Sequence, residues 1–152
     1  MNPATPDKSA SSRPAPDLSP PTIEVAAGLV FRDGKLLITR RPANAHLGGL
    51  WEFPGGKREP GETFIACLIR ELQEELGIEV EAGPLLDRVT HGYPDQTVQI
   101  HFFQCRWRKH EPQPLGCPEF KWITAADISN HEFPDADARL IQWLKTSPEL
   151  WR

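Results

Sequence analysis

Glu71, Glu74 and Glu75 stand at i, i+3 and i+4 in the run Arg70-Glu71-Leu72-Gln73-Glu74-Glu75. On a helix that spacing puts the three carboxylates in one sector. Like charges so placed repel by about a few tenths of a kcal/mol per pair, so the arrangement does nothing for folding and points to a positive partner. Six carboxylate oxygens suit Mg²⁺ or Mn²⁺, hard ions that take octahedral oxygen ligation at about 2.0–2.1 Å. No soft ligand joins the cluster, which argues against zinc. Such a metal keeps waters and also takes phosphate oxygens, so it could neutralise a diphosphate bridge and activate a water. Arg70 can hold a carboxylate with two parallel hydrogen bonds and fix its orientation. Gly55-Gly56, just upstream, can bring a backbone carbonyl close because no Cβ intervenes. The bland alternative is a solvated helix face. It suits any one of these glutamates alone, but suits the set less well.

The element that must carry this cluster is a helix over about Thr63–Leu76, capped by Thr63 and closed by Gly77. Ile65, Leu68, Ile69, Leu72 and Leu76 form its expected apolar stripe. Upstream, "TIEVAAGLVFRDGKLLITRR" reads as a hairpin around Asp33-Gly34. "LWEFPGGK" reads as a short strand ending in a Pro-Gly-Gly turn. Downstream, "PLLDRVTHGYP" and "TVQIHFFQCRW" are two strands about a turn at Pro94-Asp95-Gln96, with Val98, Ile100 and Phe102 inward. "EFKWIT" is a short strand, and Thr124 to Asp127 resembles a helix start with an acidic capping box. "PDADARLIQWLKTS" predicts a closing helix with Leu140, Ile141 and Leu144 inward. Strands and helices mix irregularly, which predicts an α+β fold with a mixed sheet covered by helices, not a doubly wound parallel sheet.

The 152 residues favour one domain, and 39% hydrophobic content is enough for one core. A net charge of −4 is unlike a protein that coats a nucleic acid polymer or sits on a membrane surface. No apolar run is long enough to span a membrane. Cys67, Cys105 and Cys117 form no C-x-x-C pair and read as free thiols of a cytoplasmic protein, for which a monomer is expected. Residues 1–22 are rich in Pro and Ser and predict a disordered tail, with the domain over 23–152.

The stretch Gly56 to Ile78 resembles the Nudix box, G-x5-E-x7-R-E-U-x-E-E-x-G-U, where U is a bulky aliphatic. Gly56, Glu62, Arg70, Glu71, Leu72, Glu74, Glu75, Gly77 and Ile78 fill every specified position. The resemblance implies the Nudix fold, an α/β/α sandwich around a mixed β-sheet, and metal-dependent hydrolysis of a nucleoside diphosphate linked to another moiety. It makes Glu71, Glu74 and Glu75 metal ligands and has Glu62 order the loop. "ITRRPANAHLGGLWEFPGGK" further resembles MutT-type 8-oxo-dGTP diphosphatases, which release a nucleoside monophosphate and pyrophosphate from a nucleoside triphosphate. That likeness brings Arg41 and His46 to the nucleotide, Phe53 to the base pocket, the Gly55 carbonyl to the metal and Lys57 to the phosphates. "YPD", Tyr93–Asp95, and "FPDAD", Phe133–Asp137, resemble pocket segments of that group. Many such enzymes have Asn where Asp137 stands, and that Asn reads the oxidised purine; Asp there resembles a branch that cleaves CTP, though Asp137 could simply cap the last helix. Gly116 stands where many have Glu. A non-catalytic lesion-binding module of the same fold is the alternative of another class, and it has no need of three intact glutamates.

Overall fold

The computed structural model describes residues 21–152. The tail expected over residues 1–22 lies outside them, apart from Pro21 and Thr22, and Thr22 already opens the first strand. Seven strands are formed: β1 Thr22–Arg32, β2 Lys35–Arg40, β3 Trp51–Glu52, β4 Gly55–Lys57, β5 Glu79–Gly92, β6 Thr97–Lys109 and β7 Phe120–Ile123. The main helices are α1, Phe64–Leu76, and α2, Ala138–Thr146, with 3₁₀ turns at Ala125–Asn130, Asp135–Asp137 and Pro148–Trp151. The sheet runs β3-β2-β1-β6-β5, with β4 added to β1 and β7 to β2. Only β1 and β6 pair in parallel; every other pairing is antiparallel, so the sheet is mixed as expected.

Each strand sends alternate residues to opposite faces, and each face carries one helix. On β1, Ala26 and Val30 pack with Cys67, Leu68, Leu72 and Leu76 of α1, together with Phe103 and Cys105 of β6. Ala27, Leu29 and Phe31 face the other way, onto Phe102, Leu140 and Leu144. A helix–sheet–helix sandwich results. The β1–β2 turn is tight because Asp33 and Gly34 both take positive φ, 51° and 75°, the geometry a two-residue hairpin needs. Thr63 Oγ1 accepts the Ala66 N–H at 3.0 Å, and Gly77 closes α1 at φ 69°, so both expected caps are present.

Three expectations need correction. Ile65 and Ile69 are 42% and 43% exposed and do not belong to the buried seam. The buried seam consists of Cys67, Leu68, Leu72 and Leu76. Gly55-Gly56 is not a turn but strand β4, paired with Ala27 and Ala26. A Cβ on Gly55 would sit 1.9 Å from the Ala26 carbonyl oxygen, so the close pairing demands glycine. The Thr124 start leads into a 3₁₀ turn rather than an α-helix.

Candidate active site

α1 presents its three glutamates to three different surroundings. At about 100° per residue, Glu75 points only about 20° from buried Leu68, while Glu74 points about 120° away. Glu75 therefore turns inward, and Glu74 has a side chain 58% exposed. Glu71, between them, is partly buried. Arg70 neutralises the outer pair. Its Nη1 donates to Glu71 Oε1 at 3.0 Å and to Glu74 Oε1 at 2.9 Å. Its Nε and Nη2 donate to the two oxygens of Glu62 at 2.7 and 2.9 Å, and Nη2 also reaches the Lys57 carbonyl at 3.2 Å. Glu62 in turn accepts the Glu59 N–H at 3.0 Å. Hydrogen bonding to Arg70 holds the Glu62 carboxyl well down, at about 2.

Gly56 is the floor under this arrangement. A Cβ there would sit 2.2 Å from Glu71 Oε2, so the carboxylate rests directly on the glycine backbone. Burial pushes the Glu71 pKa up, against the pull of Arg70. Burial, with Glu52 and Glu71 nearby, pushes Glu75 up to about 8. Thr39, fully buried beside Glu75, has a hydroxyl without a well-formed hydrogen bond. Among the described residues, no three His, Cys, Asp or Glu side chains converge into a ready-made cage. The donor set nonetheless fits a hard divalent ion. It offers carboxylate oxygens only, one of them seated in a cradle that only glycine permits, and a guanidinium already stands in as the cation for two of them.

Glu75 opens into a cavity of about 530 Å³ between β1, β6 and the segments following β2. Arg41, His46, Phe53, Gly55, Lys57, Tyr93 and Asp137 line the same cavity. Arg70, Glu71, Glu74 and Asp95 are not on its wall; Asp95 is in the exposed β5–β6 turn. The floor is apolar, with Val25, Ile100 and Phe102 beneath Phe53, which stacks on Phe133 at 5.3 Å and 22°. Phe53 is thus both a core aromatic, 4% exposed, and a pocket wall. Trp51 is plainly core, touched edge-on by His131. At the rim His46 packs edge-to-face on Tyr93, centroids 4.7 Å apart.

Arg41 is heavily engaged. Its Nε donates to the His46 carbonyl at 2.6 Å and its Nη1 to Glu52 at 3.0 Å, which pins the segment between β2 and β3. Glu52 and Cys117 are pocket residues that the sequence reading passed over. Glu52 could have been found as the one carboxylate set between the two aromatics Trp51 and Phe53 of the "LWEFPGGK" run. Burial raises its pKa. Asp137 is 4% exposed and faces the cavity with no side-chain hydrogen bond among the described residues; its side chain does not cap α2. Burial and then Glu52 push it up to about 7. Gly116 does not merely leave a carboxylate out. Its N–H and that of Leu115 donate to the Glu75 carbonyl at 3.0 and 3.1 Å, sealing the end of α1. A Cβ on Gly116 would lie 3.2 Å from Glu75 Cα.

The family model described as NUDIX domain matches residues 26–143, which span α1, the cavity and most of α2. The chain belongs to the Nudix family. A protein of Escherichia coli K12 named 8-oxo-dGTP diphosphatase is 32% identical over 124 residues, 81% of this chain and 96% of that one. One named CTP pyrophosphohydrolase, from the same organism, is 35% identical over 125 residues, 79% and 89% of the two chains. The crystal structure of a MutT protein from Methanosarcina mazei Go1 shares the fold, with a TM-score of 0.76 at 24% identity, covering 86% of this chain and 97% of that one. As a Nudix hydrolase, the protein cleaves phosphoric anhydrides and has nucleoside triphosphates as its substrate class. The family generally requires a divalent metal ion. Among the described residues, no helix is long and apolar enough to cross a membrane.

Proposed function

We propose that this Nudix hydrolase cleaves 8-oxo-dGTP to the monophosphate and pyrophosphate, removing an oxidised nucleotide before it can enter DNA. The observation that carries this reading is Asp137, a carboxyl only 4% exposed, facing an apolar-floored cavity without a hydrogen-bond partner among the described residues. A carboxylate accepts hydrogen bonds, and guanine offers two adjacent donors, N1–H and the 2-amino group. Phe53 would give the base a flat apolar wall, and Lys57, which lines the same cavity, would meet the phosphates. The metal would be Mg²⁺ or Mn²⁺, for which Glu71, Glu74 and Glu75, with the Gly55 carbonyl, would be the ligands. Bound there, it would supply charge neutralisation at the diphosphate and acidify a water.

In the hydrolysis, a water oxygen bonds to one of the two phosphorus atoms that flank the α–β bridging oxygen, the bond from that phosphorus to the bridging oxygen breaks to give the monophosphate and pyrophosphate, and the water's proton passes to a carboxylate. Glu75, which opens into the cavity and whose affinity for a proton is raised by burial, suits that last role, and Arg70 keeps Glu71 and Glu74 in position. The second reading is cleavage of CTP. It is favoured by the same Asp137, because a carboxyl at about 7 is protonated often enough to donate as well as accept, which cytosine's edge requires. The likeness to a CTP pyrophosphohydrolase also supports it. Residues 23–152 would act as a monomer, and free Cys67, Cys105 and Cys117 suit a reducing cytoplasm. The test is pyrophosphate release from a panel of nucleoside triphosphates with Mg²⁺. A kcat/KM for 8-oxo-dGTP at least tenfold above dGTP and CTP supports the proposal, and a preference for CTP overturns it in favour of the second reading.

A further inference from the structure

Outside the cavity, one aromatic contact connects the sheet to the charged cluster on α1. Phe64 is the first residue of α1, and its ring lies flat on the His101 imidazole of β6, centroids 3.6 Å apart at 3°. The Arg58 guanidinium carbon lies 5.1 Å from the centre of the same ring. Arg58 is anchored in turn. Its side chain pairs with Glu24 of β1, and its backbone N–H donates to the Glu24 carbonyl at 2.8 Å. Its Nη1 donates to the Glu62 carbonyl at 2.9 Å, while its Nε is buried without a partner. Glu62 is the residue that grips Arg70 with both oxygens, and Arg70 holds Glu71 and Glu74. The ring stack therefore sits at one end of a continuous chain of contacts that ends on two of the three glutamates.

We propose that His101 is a positioning residue for hydrolysis: stacked on Phe64, it fixes the first turn of α1 and, through Arg58, Glu62 and Arg70, the directions of Glu71 and Glu74, and it loosens that hold when it takes up a proton. The flat stack fixes one ring over another, and it lies at the joint where β4 turns into α1, so a shift there swings the helix start. The charges around His101 are unequal. Arg88, its register partner on β5, and Arg58 disfavour a third cation; Glu24 on β1 favours it but is already paired with Arg58. Burial and these two arginines hold the His101 pKa below its ordinary value, which agrees with a neutral ring in the intact stack. Protonation adds a positive charge between two guanidiniums, and displacement of Arg58 relieves it most directly. Arg58 is the member that also holds the Glu62 carbonyl.

The experiment follows Mn²⁺ binding, through loss of the free-ion EPR signal, and nucleoside triphosphate hydrolysis for the wild-type chain, His101→Phe, His101→Ala and Phe64→Ala from pH 5 to 8.5. At pH 8, His101→Phe should bind Mn²⁺ within about twofold of wild type, because the flat stack survives. His101→Ala should bind about tenfold more weakly, the scale of losing a group that orients metal ligands. Its kcat should fall in step while KM stays within about threefold. Between pH 8 and pH 5 the ratio of wild-type to His101→Phe affinity should fall at least about threefold, since only the wild type gains a charge and both share the ligands' own titration. His101→Ala combined with Phe64→Ala should be no worse than either alone, as expected of one shared contact. Parallel pH profiles for wild type and His101→Phe would overturn the proposal. So would a His101→Ala variant that melts earlier yet binds Mn²⁺ normally. If neither alanine variant folds, the pH ratio of the phenylalanine variant decides. Mn²⁺ binding does not depend on which nucleotide is cleaved, so failure of the 8-oxo-dGTP reading is told apart from failure here.

Discussion

Glu71 and Gly56 meet across the gap between α1 and β4, so closely that any side chain at position 56 would push the Glu71 carboxylate off its seat. A Cβ there would lie 2.2 Å from Glu71 Oε2, whereas a Cβ on neighbouring Gly55 would lie 1.9 Å from the Ala26 carbonyl oxygen. The two glycines adjoin but answer to different obstacles. At Gly56 the obstacle is the free end of a side chain, which can swing away while the backbone stays put. At Gly55 it is the backbone of the paired strand.

Alanine at the two positions should therefore separate activity from stability. Gly56→Ala is expected to melt within a few degrees of wild type but to turn over about a hundredfold more slowly, because Glu71 is displaced from its seat. Gly55→Ala is expected to melt far lower or fail to fold, by forcing β4 off β1. Thermal unfolding and steady-state hydrolysis of both variants test this. A Gly56→Ala enzyme with wild-type kcat would show that Glu71 has no fixed role.

Charge removal on α1 gives a second test. Glu74→Gln and Glu75→Gln each keep side-chain volume and should each lower kcat by at least about a hundredfold, the scale of losing a metal ligand or its charge stabilisation. Neither should unfold the protein. Glu74 is largely solvated and Glu75 is surrounded by other acids, Glu52 and Glu71 foremost, so neutralisation relieves repulsion there. Near-normal turnover in both variants would defeat the assignment of these residues to a metal site.

Much of this arrangement is legible in the chain because it is local. Asp33-Gly34 specifies its hairpin, Thr63 and Gly77 specify the ends of α1, and the i, i+3, i+4 spacing alone places three carboxylates together. What was not legible depends on partners distant in sequence. Gly55-Gly56 reads as a turn, and only the nearness of Ala26 and Ala27 makes it a strand. Ile65 and Ile69 fit the periodicity of the buried stripe, yet the face that packs on the sheet runs through Cys67 and Leu68 and leaves them outside. Spacing also treats Glu71, Glu74 and Glu75 as equivalent, and the fold does not: one rests on Gly56, one is held at the surface by Arg70, and one points into the cavity. That division, and the presence of Glu52 beside Glu75, follow from the sheet rather than the helix.

The buried acids make the metal-free protein sensitive to pH in a definite direction. Asp137 rises from an ordinary 3.8 to about 7, and Glu75 from 4.5 to about 8. A carboxyl whose folded pKa is raised binds its proton more tightly in the folded state. Its contribution is thus fully present below the unfolded value and is lost as pH rises through the folded one. With EDTA present, stability should fall from about pH 4 towards pH 8. Asp137→Asn removes one of the two groups, so its melting temperature relative to wild type should rise by a few degrees between pH 5 and pH 8. Calorimetry across that range checks it, and a constant offset would mean that Asp137 is ionised throughout.

The same substitution bears on which base is read. Asp137 lies in the 3₁₀ turn Asp135–Asp137, and its carboxyl, free of any cap, is the buried polar group that faces the cavity near Tyr93 and Gln96. Guanine can give an ionised carboxylate one hydrogen bond to each oxygen; asparagine has a single acceptor oxygen for both donors and must find an acceptor for its own N–H. Cytosine presents one donor beside acceptors, a pattern that asparagine matches better than a carboxylate does. Asp137→Asn should therefore lower kcat/KM for dGTP relative to CTP by roughly tenfold or more, the scale of a changed buried hydrogen bond. The effect on 8-oxo-dGTP should follow dGTP, because oxidation at C8 leaves N1–H and the 2-amino group unchanged. Steady-state kinetics on the three substrates decides it. If all three fall by one factor, or none changes, Asp137 shapes the pocket without reading the base, and the discriminating contact lies with Gln96 or Tyr93 at the rim.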